Sequence, residues 1–435
     1  MKTKELLLLM ALPALTTFSC TNDSEGTDEF KKIVNMVPDR KPIRLTKEQQ
    51  TFANENNQFA LNFLQTIDEA DQSEQSYIYS PLSITYVLGM VNDAAEGTTR
   101  DELEQTLGFH EGGIEAVNEY CKTLIEKLPL ADESVNLNIV NAIFLNKQYT
   151  LKKQFLEDMQ QYYHAKAEAL DFESPKTLSH INGWCNEQTR GMIPTIIESV
   201  NKDAVSYLLN AIYFKADWAS KFDQKNTKTE TFTAEDKTTQ KVPLMHQEVL
   251  IGYMKNEVFS FVDLPYGNDL WSMTVMLPRE GKTTSDIIQW LTENGWPATY
   301  VENHPLFSQV PYEVDLKLPR FKTTSDTDEL DGTLVKLLQT MGIRMAFTEW
   351  SEIPNMCEQS NVYISMMRQK AMVEVNEKGA EAAAVTVGEA EVTSAGPTDP
   401  IEIPKATFHA NRPFVYLIRE RSSGVLLFVG KYTGK

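Results

Sequence analysis

Cysteine is scarce: four stand in 435 residues, and that scarcity excludes a disulfide-built scaffold. Cys20, Cys121, Cys185 and Cys357 are widely spaced and form no C-x-x-C pair, so the ligand spacing of a structural zinc site is missing too. The three that follow Cys20 read as ordinary, mostly buried thiols. Histidine is also thin. The six residues His110, His164, His180, His246, His304 and His409 stand singly along the chain, and no H-E-x-x-H occurs. No G-x-S-x-G nucleophile elbow is present. Gly281-Lys282-Thr283 imitates the end of a phosphate-binding loop, but Met276 stands where that loop needs its first glycine, so Gly281 reads as a turn. Positive charge is in deficit: 41 Lys and Arg face 61 Asp and Glu, a formal net charge of −20. Such a surface repels phosphate backbones and anionic lipid heads, which argues against nucleic acid or a bare membrane surface as a partner. No catalytic constellation, cofactor motif or metal spacing emerges, and the chain reads as something other than an enzyme.

What remains is ordinary globular material, 42% hydrophobic and 23% charged. The first residues differ. Lys2 and Lys4 precede the apolar run Leu6 to Leu15, too short to cross a bilayer, and Thr16-Thr17-Phe18-Ser19-Cys20 follows. This start resembles a bacterial lipoprotein signal, with Cys20 as the lipidated new N-terminus, although Thr17 stands where a Leu is usual. The acidic stretch Thr21 to Glu29 resembles a surface-export signal. The expected organisation is a signal over residues 1–19, a lipid-anchored acidic tether over 20–46 and one domain over 47–435. The expected location is a bacterial cell envelope, as an outer-membrane lipoprotein that faces the periplasm or the outside.

Helical spacing begins near Thr46, where Phe52, Phe59, Phe63 and Ile67 share a face, and Ser80-Pro81-Leu82-Ser83 opens a second helix through Met90. Helices are also expected over Leu151–Tyr163, Thr177–Thr189, Thr283–Asn294 and Asp328–Met341. Strands are expected over Asn136–Phe144, Tyr207–Phe214, Glu230–Thr233, Val249–Tyr253, Phe259–Leu264, Ser272–Leu277, Val314–Leu318 and Ala371–Val375. Pro413 to Gly430 reads as two strands joined by a turn at Ser422-Ser423-Gly424. Helices gather early and strands late, which is an α+β pattern.

The segment from Glu377 to Pro404 is unlike the rest. As a strand it would show Ala380, Ala382, Ala384, Thr386, Gly388 and Ala390 on one face, all small, and Glu381, Ala383, Val385, Val387, Glu389 and Glu391 on the other. A strand with one uniformly small face can enter a filled sheet without overpacking. Glycines at both ends and prolines beyond mark a segment that starts as a loop. An Ala/Glu-rich linker or a short helix fits the composition equally well. Its placement, between a strand and the last strand pair, favours the insertable loop.

These residues resemble the serpin family. Glu377-Lys378-Gly379-Ala380-Glu381-Ala382-Ala383-Ala384 is similar to that family's hinge signature, and Asn411-Arg412-Pro413-Phe414 and Phe428-Val429-Gly430-Lys431 to its closing signatures. Tyr79-Ser80-Pro81-Leu82-Ser83-Ile84 resembles the motif under the main sheet, while Asn210 and Trp218 match the segment beneath its top. Gln369 departs from the pattern, since the family commonly has a histidine there. Gln both donates and accepts, so a network through it can persist. The resemblance covers roughly residues 47 to 433.

The resemblance implies a single α+β domain with large mixed sheets and an exposed reactive-centre loop over about 377–404. It also implies a monomeric suicide inhibitor, cut in that loop, whose freed segment enters the main sheet. Sheet opening falls to Ser80, Ser83, Asn210, Trp218 and Gln369. Family spacing counted from Glu377 puts the scissile bond at Thr393–Ser394, with Val392 and Ala395 marking neighbouring alternatives. No Lys, Arg or aromatic residue lies between Gly379 and Pro404, which disfavours trypsin-like and chymotrypsin-like pockets and points to elastase-like serine proteases. Papain-like cysteine proteases are the second choice of target. A non-inhibitory member acting as a binding module is the other class, disfavoured by the small residues Ala380 to Ala384.

Overall fold

A computed structural model describes residues 40–71, 74–110, 112–296, 311–327, 334–360, 362–378 and 403–435. Thr46 starts the first helix, α1 (Lys47–Ala70), through a reciprocal capping box with Gln49. Phe52, Phe59, Phe63 and Ile67 are all buried along it, as their spacing predicts. Ser80 caps α2 (Pro81–Ala94), with Pro81 in the first turn where its missing N–H costs nothing. Nearly every residue of α2 is buried, so it is the central post of the molecule. The other helices are α3 (Gly97–Leu107), α4 (Gly113–Lys127), α5 (Lys153–Tyr163), α6 (Thr177–Gln188), α7 (Thr284–Asn294) and α8 (Leu334–Met341).

The strands are β1 (Tyr77–Tyr79), β2 (Asn136–Asn146), β3 (Lys166–Leu170), β4 (Ser206–Lys215), β5 (Lys228–Thr233), β6 (Thr239–Lys255) and β7 (Phe259–Tyr266). After them come β8 (Trp271–Pro278), β9 (Tyr312–Pro319), β10 (Phe321–Asp326), β11 (Met366–Val375), β12 (Lys405–His409), β13 (Phe414–Glu420) and β14 (Leu426–Tyr432). Among the described residues, one sheet has five strands in the order β10-β11-β4-β2-β3. The other runs β1-β14-β13-β8-β7-β6-β9-β12, with β5 added beside β6. Asp39 to Lys435 forms a single compact unit.

Alternation along β2 and β4 divides the five-stranded sheet into two buried faces. Val140, Ala142 and Phe144 of β2 and Tyr207, Leu209 and Ala211 of β4 pack under α6 through Ile181 and Cys185. Ile143, Leu145, Leu208 and Ile212 face the main core, with α2 among its members. A sheet covered on both faces explains why β4 is an almost unbroken apolar run.

Several elements differ from the sequence reading. The strand expected at Val249–Tyr253 is a short part of β6, which turns from β5 and β9 to β7 along its length. The helix expected from Leu151 starts at Lys153, because Leu151 bridges to Cys357 instead. The expected helix Asp328–Met341 is described from Leu334 onward. Gly281 is indeed a turn, at φ +78°, ahead of the capping box of Thr283 and Asp286. Cys121, Cys185 and Cys357 are free and buried.

Candidate functional site

The middle of the five-stranded sheet is a parallel seam. β11 pairs with β4 from Met366 opposite Tyr207 to Met372 opposite Tyr213. Beneath it, the sequence brings polar residues to core-facing positions, and a buried polar group must find partners. Gln369 of β11 is fully buried and spends its whole amide. Its Oε1 accepts from Ser80 N at 2.9 Å, and its Nε2 donates to Ser80 O at 2.9 Å and Asn210 Oδ1 at 3.1 Å. Ser83 Oγ donates to the same Asn210 oxygen at 2.6 Å, and Asn210 Nδ2 donates to Asn141 Oδ1 of β2 at 2.7 Å. Ser80 Oγ donates to Leu427 O of β14 at 2.7 Å. One connected network therefore ties α2, three strands of one sheet and one strand of the other. Gln369 supplies both donor and acceptor, so the departure from histidine leaves the network closed.

The upper end of the seam is held differently. β11 ends at Val375, and Trp218 fills the space beside it, its ring stacked on Tyr266 with centroids 4.3 Å apart. Trp218 Nε1 donates to Asn376 O at 2.8 Å, and the backbone N–H groups of Trp218 and Phe222 donate to Lys378 O and Glu377 O at 3.2 and 3.0 Å. Glu377, the first residue of the hinge signature, is 2% exposed. Thr227 Oγ1 donates to it at 2.6 Å, Arg320 Nε donates at 3.1 Å, and Arg320 Nη2 bonds the other oxygen. Burial pushes the Glu377 carboxyl up, but Arg320 and Thr227 outweigh it and hold it below the usual carboxylate range. A clamped residue at the end of β11 thus marks where the chain leaves the sheet.

The structure brings Ser80, Ser83, Asn210 and Gln369 together and places Trp218 with Glu377 at the seam's end. Gly379, Ala380, Glu381, Ala382, Ala383 and Ala384, the bond residues Val392, Thr393, Ser394 and Ala395, and Cys20 lie outside the described residues. Sequence reasoning missed Asn141, Thr227 and Arg320. Asn141 carried a signal, being polar at a core-facing place between Ile139 and Ile143 in an alternating strand. Among the described residues, no group of His, Cys, Asp or Glu could hold a metal ion, and no helix is long and apolar enough to cross a membrane. The histidines are not all solitary in space, since His246 and His409 meet at Asp315.

A two-sheet α+β domain, with a parallel seam at the heart of one sheet and a chain segment leaving the clamped end of that seam, defines the serpin fold. The chain belongs to the serpin family: the family model described as Serpin (serine protease inhibitor) matches residues 54–434. The Serine protease inhibitor 42Dd of Drosophila melanogaster is 34% identical over 358 residues, covering 81% of this chain and 90% of that protein. The Leukocyte elastase inhibitor of Sus scrofa is 32% identical over 390 residues, covering 86% and 97%. Among solved structures, the thermophilic serpin Tengpin in its native state superposes with a TM-score of 0.76 at 26% identity, covering 92% of this chain and 98% of that one.

Proposed function

We propose that this serpin is a suicide-type inhibitor of an elastase-like serine protease, cut near Thr393–Ser394, whose freed segment enters the β11–β4 seam. The observation that carries this reading is the seam itself. β11 and β4 are parallel neighbours, and the chain leaves β11 at its upper end. A segment returning from there runs antiparallel to both, the better-bonded arrangement. The inserted strand gains backbone hydrogen bonds on both sides and buries apolar surface, which together drive its entry against the entropy of ordering it. The small face Ala380, Ala382, Ala384 suits entry over a filled core. Val392, Thr393 and Ala395 suit a shallow specificity pocket, and a leukocyte elastase inhibitor among the relatives supports the same target class.

The test is incubation with elastase-like, trypsin-like, chymotrypsin-like and papain-like enzymes, followed by denaturing electrophoresis and mass spectrometry of the released fragment. An elastase complex that survives denaturant, with cleavage near Thr393, is expected. Complexes only with trypsin-like enzymes, or a cut at Lys405, overturn the target. Absence of any complex leaves a non-inhibitory binding member. The signal-like start further supports lipidation of Cys20 and a bacterial envelope location with residues 21 to about 45 as tether. An unmodified Cys20 at the mature N-terminus, or a start elsewhere, removes that part.

A further inference from the structure

Among the described residues, β12 is an edge strand of five residues, paired in parallel with β9 alone. It is the first strand after residues 379–402, so it holds the far root of that segment. Short parallel pairing on one side is a weak attachment for such a root. Side chains reinforce it. His246 of β6 and His409 of β12 stand on either side of β9, each opposite Lys317 in the register. Both imidazoles reach diagonally to Asp315, two residues along on the same face. Their Nε2 atoms lie 2.8 and 2.9 Å from different oxygens of that one carboxylate. All three side chains are about one-third exposed, so solvent protons reach them.

The charged neighbours on this face leave the carboxylate as the dominant charge. Lys317 of β9 is occupied by both oxygens of Glu230 of β5 at 2.7 and 2.8 Å. Lys405 of β12 is paired with Glu313 of β9 at 2.9 Å. Glu248 of β6 stands directly opposite Asp315 and adds a second negative charge.

We propose that His246, Asp315 and His409 form a pH-operated latch on β12, which tightens as the imidazoles take up protons. With both imidazoles neutral, two N–H groups bond a carboxylate that Glu248 repels. As the medium turns mildly acidic, each proton gained turns a neutral hydrogen bond into a charge-assisted one. The first proton contributes more than the second, because two imidazolium rings sharing one carboxylate repel each other. Burial pushes the Asp315 carboxyl up, but the bonds from His246 and His409 prevail and keep it below its usual range, so the acceptor stays ionised throughout this window. The latch fails only when that carboxylate takes a proton at still lower pH. A mildly acidic medium therefore tightens the hold on the root of the 379–402 segment, and an alkaline one loosens it.

Hydrogen exchange of the full-length protein, corrected for intrinsic rates, tests this at pH 8.0 and 6.0. Protection of the backbone over 406–410 should rise about two- to fivefold at the lower pH, the range of a partly exposed ion pair. The backbone of β13 and β14 should not follow. His409→Gln keeps one donor for Asp315 without gaining charge and should abolish the rise. Asp315→Asn should hold protection low at both values. No rise in the unaltered protein, or the same rise in His409→Gln, overturns the latch. Should either variant unfold, His246→Gln must keep a rise at least as large, because His409 then has the carboxylate to itself, and loss of the rise there also overturns it.

Discussion

Gln369 is the residue on which the seam's interior depends, because its one amide meets a donor and two acceptors on Ser80 and Asn210 and so joins β11 to the start of α2 and to β4. Gln369→Leu is close in size but removes all three bonds and leaves Ser80 N–H and Asn210 Oδ1 short of partners. The expected loss is about 2–4 kcal/mol, read as a fall in the urea midpoint. Gln369→His restores one donor and one acceptor in the neutral ring, and its midpoint should lie between the two. A midpoint for Gln369→His below that of Gln369→Leu would contradict the bonding described.

Asp93 gives a second test at this scale. Burial lifts its carboxyl to about 6, with the charge of Asp158 acting the same way, while a hydrogen bond from Asn118 and the charge of Arg100 pull it down. Because its folded-state value lies above the unfolded one, the folded protein binds this proton more tightly. Stability is thus favoured below about 4 and declines as pH rises towards about 6. Asp93→Asn, which keeps an acceptor for Asn118, should raise the melting temperature at pH 7.5 and change it little at pH 4. The reverse pattern would show that the carboxylate is stabilised where it stands.

At the scale of elements, legibility followed local periodicity. Phe52, Phe59, Phe63 and Ile67 announce α1 because a helix repeats its face within the window one can see. Ser80-Pro81 announces α2 through capping chemistry. Helix α3 buries only Thr99, Leu103 and Leu107, and no apolar stripe betrayed it. Strand β12 buries Phe408 alone and was missed for the same reason. The clamp on Glu377 was not legible, since Thr227 and Arg320 lie 150 and 57 residues from it along the chain. The clamp joins the start of β10 to the end of β11. Arg320→Met should cost about 1–3 kcal/mol at pH 7, Arg320 being half exposed. Glu377's carboxyl is held low in the folded state, so its contribution is present above the unfolded value and lost as pH falls through the folded one. The difference between Arg320→Met and the unaltered protein should therefore shrink towards pH 3, as chemical denaturation at both values will show. An undiminished difference at low pH would assign the cost to lost packing.

At the scale of the whole molecule, the proposed mechanism requires that the intact fold not be its most stable arrangement. A cut within 379–402 frees one strand to join the sheet, so the cleaved, still associated protein should melt higher than the intact one. A rise of about 10 °C or more in melting temperature is the expected sign of the added strand in a domain of this size. Differential scanning calorimetry before and after limited elastase treatment reads this directly. An ordinary domain melts no higher when nicked, and that outcome would remove strand insertion from the account.

The position of Cys185 has a further use. Its thiol lies on α6, pressed against Phe144 and Leu209 on the outer face of the five-stranded sheet, and burial pushes it up to about 12. In the closed molecule it is thus both shielded and un-ionised, and alkylating reagents should find it inert. On the proposed mechanism, Cys185 reports whether α6 lifts from β2 and β4 while the β11–β4 seam is parted. If the proposed insertion lifts α6, the chain carries its own stopwatch: Cys185 should be alkylated in the interval after cleavage, and the alkylated fraction at a fixed reagent pulse times that interval, whereas an inert thiol throughout would mean that α6 stays seated.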